Sequence, residues 1–490
     1  MSSSSSSAIH PAPPSSSSRP NPTTTTATAA HNLNSIEDAL SLILDCAGQP
    51  QSIGAVLIPS LNKLCRSSKG AGEQVLCSMV QADRDPLGIL DPVRCSVGMI
   101  YILVARLSRI ATLEEARNLA GYIQTFVRIF DPVQLRLAGE KVTQFARLLP
   151  EMGQGLGDPN FALPHLENLF LRFTENAPCL TTLHPILAYQ YLRAGQYATA
   201  YDHLLQTDII DADSNLTPLR YTDVLEYFYY GGLICTKLKK HTSAIEFFET
   251  CVSSPAAAVS AIQVDAYKKL ILVRLIKDGQ MSPPPKYTSG AFLRSFKQTN
   301  QTYLSFAAAY ESREPAKAEE VMRIAQEKAE LFSQDCNMGL VQQCLALHRQ
   351  RRIQRLKEVY STLSLANVAE ILGVTGEDAE GIIEHDVMEL VSKGWIHARI
   401  VPATEIPPGN TTIVPSADED SMPILCFEEN PDRYDSAASI DLLTKEIKLG
   451  QHWQGIVNER ERELARSYTF LSKVGSNVCS SGGFGGKCLL

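Results

Sequence analysis

Twelve cysteines and ten histidines are the side chains in this chain best suited to hold a metal or attack a carbonyl. A structural zinc needs four thiolate or imidazole ligands at close spacing, and a catalytic zinc needs three. The spacing fits neither: there is no CxxC, no HExxH and no HxH with a downstream aspartate. A GxSxG nucleophile elbow is also absent. The run Ser481-Gly482-Gly483-Phe484-Gly485-Gly486-Lys487-Cys488 has the Gly-Lys step of a phosphate loop. It lacks the glycine five residues earlier, puts Cys488 where a metal-binding hydroxyl is needed, and precedes no helix. Cys488 is third from the end, whereas prenylation requires the fourth position. His184 precedes Pro185 and His397 falls in an expected strand; no local motif sets a Ser, Cys or carboxylate beside either. The residues therefore predict no enzyme, no catalytic or metal site and no cofactor.

Charge points the same way. The chain has 45 basic and 53 acidic residues, a net −8, which disfavours nucleic-acid binding by the whole molecule. Arg349, Arg351, Arg352, Arg355 and Lys357 form one basic cluster. It could serve nuclear import or a nucleic acid, but its alternation with apolar positions reads better as a solvated helix face or an interface. The longest apolar run, Val97 to Ala105, is far short of the ~20 residues that span a bilayer, so no membrane partner is expected. No apolar leader is visible, so the cysteines are read as reduced and the chain as cytoplasmic and nuclear.

What such a chain offers is surface, and the elements must build it. Residues 1–33 are a Ser/Thr/Pro tail too poor in apolar residues to fold. Residues 34–335 read as helix after helix, opened by Ser35 as a cap with Asp38 at the third helical position. Val133 to Leu149 is an expected helix stopped by Pro150, and two helices are expected after Pro283-Pro284-Pro285. Gly195-Gln196-Tyr197-Ala198-Thr199-Ala200 and Lys240-His241-Thr242-Ser243-Ala244 both close one helix and open the next, with Ala200 and Ala244 at close crossings. The offset of 44 is longer than the tetratricopeptide period, so the repeat is TPR-like and degenerate. Stacked hairpins make a helical-repeat solenoid, an architecture that chiefly binds proteins.

Residues 336–434 change pattern. A long helix over 340–363 and two short ones, capped by Ser364 and Thr375 and stopped by Gly373 and Gly394, precede two strands, Trp395 to Val401 and Ile424 to Phe427. Three helices and a β-hairpin are the winged-helix order, here with a wing of about twenty residues. Its third helix carries Glu377, Asp378, Glu380, Glu384, Asp386 and Glu389 against Lys393, which is incompatible with docking on phosphates. The exposed strand edge, around Ile396, Ala398 and Ile400, is read instead as a protein interface. Residues 435–473 form a long terminal helix whose seam is Ile440, Leu443, Ile447, Val457, Leu464, Tyr468 and Leu471. It has no partner in its own domain. Residues 474–490 are a Gly/Ser tail.

Helical repeats, a winged helix and a long last helix together resemble the PCI family of scaffold subunits, found in the proteasome lid, the COP-nine signalosome and translation initiation factor three. Several segments are similar to the signalosome's third-subunit family: Tyr227-Phe228-Tyr229-Tyr230-Gly231-Gly232-Leu233, Ala266-Tyr267-Lys268-Lys269, Lys286-Tyr287-Thr288-Ser289 and Asn337-Met338-Gly339-Leu340-Val341. So are Ile353-Gln354-Arg355-Leu356, Leu363-Ser364-Leu365 and Phe427-Glu428-Glu429-Asn430-Pro431. Before Tyr189 the likeness is only helical. The resemblance implies an all-α, non-catalytic scaffold, partnered with other signalosome subunits through winged-helix edges and a bundle of terminal helices. The metal site would lie in another subunit, and cullin-RING ligases, from which the complex removes Nedd-eight, would be met indirectly. A proteasome-lid scaffold and a winged-helix DNA-binding protein are the alternatives.

Overall fold

Capping chemistry sets where many of the helices begin and end. A computed structural model describes residues 33, 35–66, 71–80, 84–174, 179–255, 258–312, 314–374, 378–402, 423–428, 436–468 and 470–473. Ser35 and Asp38 close a capping box at the head of Ile36–Asp45, as do Thr112 and Glu115 at the head of Leu113–Ile129. Each box satisfies helix-end N–H groups within four residues, so it is legible locally. Gly195, Gly279 and Gly373 end helices in the left-handed conformation that a Cβ would penalise. The tails 1–32 and 474–490, the wing 403–422 and the expected cap Thr375 lie outside the described residues.

The chain divides into two compact units. The first holds residues up to 312 and 319–346 and is built of packed helices. Its hairpins cross closely where expected: Ala200 and Ala244 are fully buried. At the crossing of Tyr221–Lys237 and His241–Ser253, a Cβ on Gly232 would lie 2.5 Å from the Phe248 ring and one on Gly231 2.7 Å from Phe247. Pro150 does not end a helix. The chain breaks after Pro132–Arg136 and restarts as Gly139–Gly155, with Pro150 inside it. The restart is fixed by packing rather than propensity, because a Cβ on Gly139 would strike the Leu216 carbonyl. The all-helical expectation also meets one exception. The two-residue strands β1 (Cys179–Leu180) and β2 (Asp211–Ala212) pair in parallel. Past the proline run there are four helices, not two, from Gly290–Thr299 to Ala329–Gln334.

A buried polar node ends this unit. Lys269 donates to the Asn337 side chain at 2.9 Å and pairs with Asp265, while Lys268 pairs with Asp335 at 2.9 Å. Tyr303 donates to Asp335 at 2.7 Å and accepts from Asn337 at 2.8 Å. With every buried polar atom of the node answered, residues 335–337 are held in one conformation, and the helix Met338–Leu356 starts from them.

The second unit contains the winged helix. The long helix stops at Leu356, short of the expected 363, because Thr362–Ser364 is a strand, β3. The helices Leu365–Leu372 and Ala379–Ser392 follow, then β4 (Ala398–Pro402) and β5 (Pro423–Phe427). The expected two-stranded hairpin is thus a three-stranded antiparallel sheet in the order β3-β5-β4. Leu363, Val368, Ile383, Val387, Leu390, Ile396 and Leu425 form its core.

Candidate protein interface

The acidic third helix and the basic cluster of the preceding helix answer each other. Arg349 donates two hydrogen bonds to Asp386, one of them 3.1 Å long, and Asp386 is almost wholly buried. Gln350 donates to Glu389 at 2.6 Å, and Lys393 pairs with the same carboxylate at 2.6 Å. These donors hold the half-buried Glu389 carboxyl below its usual range, the Lys393 hydrogen bond contributing most. Arg352 is buried and caps the helix Leu365–Leu372 by donating to the carbonyls of Leu372 and Ile371 at 3.0 and 2.8 Å. Burial lowers the affinity of its guanidinium for the proton, and neighbouring Arg355 adds to this. Arg351 stacks on the Trp395 ring 4.3 Å away. The cluster read as a solvated helix face or an interface is therefore in good part an internal clamp. Its arginines use their fork geometry on a carboxylate, a helix end and an indole. His385, Asp386 and Glu389 bring three possible metal donors together. Arg349 and Lys393 already neutralise two of them.

The sheet offers its backbone. β5 lies between β3 and β4, so among the described residues β4 presents an unpaired edge. Ala398 and Ile400 are half-buried against the domain core, and Ile396 just precedes the strand with its side chain fully buried. The side chain of Ile396 is thus a core residue, which corrects its reading as an interface contact. The strand was expected from Trp395 and starts three residues later, at Ala398, so Ile396 lies ahead of it. What can meet a partner here is the row of N–H and C=O groups along Ala398–Pro402.

The terminal helix offers side chains. Ala437–Arg466 starts at the Ser436 cap and ends at Ser467, short of the expected continuous run to Leu471. Ser467 turns extended, and its hydroxyl accepts the Phe470 N–H, opening a second short turn that carries Tyr468 and Leu471. Ile440, Leu443, Ile447, Val457 and Leu464 are 52–61% exposed, Leu471 is 55% and Tyr468 84%. Leu442 and Leu449 widen the apolar surface and were not in the expected seam. Among the described residues nothing covers this row, and it is a larger apolar surface than scattered single side chains make.

Neither candidate histidine is poised for chemistry. His184 is buried, edge-on to Phe170 and Tyr227, and its Nδ1 accepts the Thr181 N–H at 3.0 Å. Burial lowers its pKa to about 4. His397 is half-buried, and its backbone carbonyl accepts the Glu428 N–H. No helix among the described residues is long and apolar enough to cross a membrane.

This arrangement has counterparts. The family model described as COP9 signalosome complex subunit 3, N-terminal helical repeats, matches residues 59–292, and a PCI domain model matches residues 309–406. COP9 signalosome complex subunit 3 of Dictyostelium discoideum is 30% identical over 320 residues, which is 64% of this chain and 73% of that protein. The chain belongs to the COP9 signalosome subunit 3 family. Another relative, COP9 signalosome complex subunit 3 of Arabidopsis thaliana, is 29% identical over 444 residues, covering 90% of this chain and 94% of that protein. Subunit 3 character therefore reaches far ahead of Tyr189, where the sequence alone resembled the family only in being helical. Short local motifs from Tyr227 onward carried that resemblance.

Proposed function

We propose that this chain is a non-catalytic scaffold subunit of a COP9 signalosome, working in cytoplasm and nucleus. It would support removal of Nedd-eight from cullin-RING ligases without itself holding the metal or contacting the ligase directly. The exposed apolar row of the terminal helix carries this reading. A scaffold's chemistry is association, and this surface has no use in an isolated protein. Family membership selects the assembly. The unpaired edge of β4 supplies a second attachment by strand addition. The repeats 34–335, the winged helix 336–434 and the helix 435–473 would act as spacer, joint and anchor.

Affinity purification of the tagged chain with mass spectrometry tests the assignment. Signalosome subunits should be recovered together; recovery of proteasome-lid subunits in their place would overturn it. The isolated chain should leave a Nedd-eight–cullin conjugate intact. Cleavage that a chelator abolishes would sink the scaffold reading.

A further inference from the structure

The loop between Ala261–Asp278 and Gly290–Thr299 contains Ser282-Pro283-Pro284-Pro285-Lys286-Tyr287-Thr288. It is fixed at both ends. Arg274, buried in the first helix, donates to the Ser282 carbonyl, and Glu311 accepts the Met281 N–H. Thr288 is buried with its hydroxyl 3.0 Å from that of Ser253, and its N–H closes a turn on the Pro285 carbonyl at 2.9 Å. What lies between faces outward. Pro283 and Lys286 are exposed, and Pro284 and Pro285 are half-buried. Tyr287 is 75% exposed, and neither its ring nor its hydroxyl has a partner among the described residues.

Three prolines stiffen a loop by themselves. The tyrosine adds nothing to that stiffness, and it puts a large ring in water. Pro284-Pro285-Lys286-Tyr287 sets an aromatic two residues after a pair of adjacent prolines. Adjacent prolines present a ridged apolar surface with preset φ and little entropy to lose, which suits a slot between aromatic rings. A tyrosine beside them supplies a second anchor, its ring in a pocket and its hydroxyl at the rim. WW-type domains are the proline readers that combine both recesses. An SH3-type groove takes two prolines three residues apart, and this run has no such pair. We infer that Pro284–Tyr287 is a docking motif for a WW-type domain of a protein partner. Anchoring at Ser282 and Thr288 means that little ordering remains to be done on binding. The inference goes beyond the assembly proposed above and does not depend on it.

The test titrates the full chain into a fluorescein-labelled recombinant WW domain of the kind that reads Pro-Pro-x-Tyr, followed by anisotropy. A synthetic peptide of residues 281–289 is the positive control, and an SH3 domain is the negative one. The chain should bind the WW domain and not the SH3 domain, and the peptide should displace it. Tyr287→Ala should weaken binding roughly tenfold or more, and Pro284→Ala or Pro285→Ala several-fold. Lys286→Ala, at the position that is not read, should leave affinity within about twofold. Tyr287→Ala should also keep the wild-type denaturation midpoint, which separates lost recognition from lost folding. Leu443→Asp with Leu464→Asp should bind the WW domain as the wild type does, which keeps this outcome apart from that of the scaffold assignment. Failure of the chain to bind a WW domain that takes the peptide would show that the fold closes off the prolines. That result, refusal of the peptide itself, unchanged binding by Tyr287→Ala, or equal binding of the SH3 domain would each overturn the inference.

Discussion

Lys239 occupies the position where the preceding hairpin has Gly195, 44 residues earlier, and both are left-handed, with φ of +59° and +71°. A Cβ is unfavourable there, and glycine is not. Lys239→Gly should raise stability by about 0.5–1 kcal/mol, read as a later denaturation midpoint; Lys239→Ala should not. His184 supplies the pH prediction. Its imidazole stays neutral in the fold down to a pKa of about 4, against an ordinary value of 6.5. The unfolded chain thus takes up a proton that the folded chain refuses between those values. Stability from this residue is fully present above about pH 6.5 and declines as pH falls toward 4, by an amount on the order of 3 kcal/mol at the bottom of the window. His184→Asn keeps an acceptor for the Thr181 N–H and removes the titration. The variant should be less stable at neutral pH for want of ring packing, yet its stability should slope less steeply over that window in urea titrations.

Elements were legible where their signals were local. The Ser35–Asp38 box, the Ser364 cap and the Gly373 stop are decided within four residues, and the structure keeps all of them. β3 was not legible, because three residues carry no alternation and its partner β5 lies some sixty residues onward. Pro150 misled because the helix Gly139–Gly155 carries it in its interior, where a proline ordinarily breaks the hydrogen-bond ladder. The role of the basic cluster depended on which side of its helix met Asp386 and Trp395, again a tertiary fact. That clamp can be tested as an element. Arg349→Ala leaves the buried Asp386 carboxylate without its cation and should cost about 1.5–3 kcal/mol, seen as earlier loss of winged-helix signal in denaturant. Adding Asp386→Asn should recover part of the loss, since the residual charge is then gone.

At the scale of the molecule, the scaffold reading proposed above makes the terminal helix separate folding from assembly. Its seam residues are already more than half exposed. Leu443→Asp with Leu464→Asp should therefore leave the denaturation midpoint of the purified chain unchanged. Each leucine buried against a partner contributes about 1.5–3 kcal/mol, so the same variant should lose roughly two or more orders of magnitude in affinity and fail to co-purify. Wild-type recovery would show that the helix packs elsewhere. The same exposure bears on the chain's life in the cell. An unassembled copy displays a row of apolar side chains that chaperones and degradation machinery recognise, and burying the row in a complex removes the signal. Its abundance should then be set by its partners rather than by its own synthesis. Depleting a partner should shorten its half-life in a pulse-chase experiment while its messenger level holds, and Leu443→Asp with Leu464→Asp should blunt that dependence.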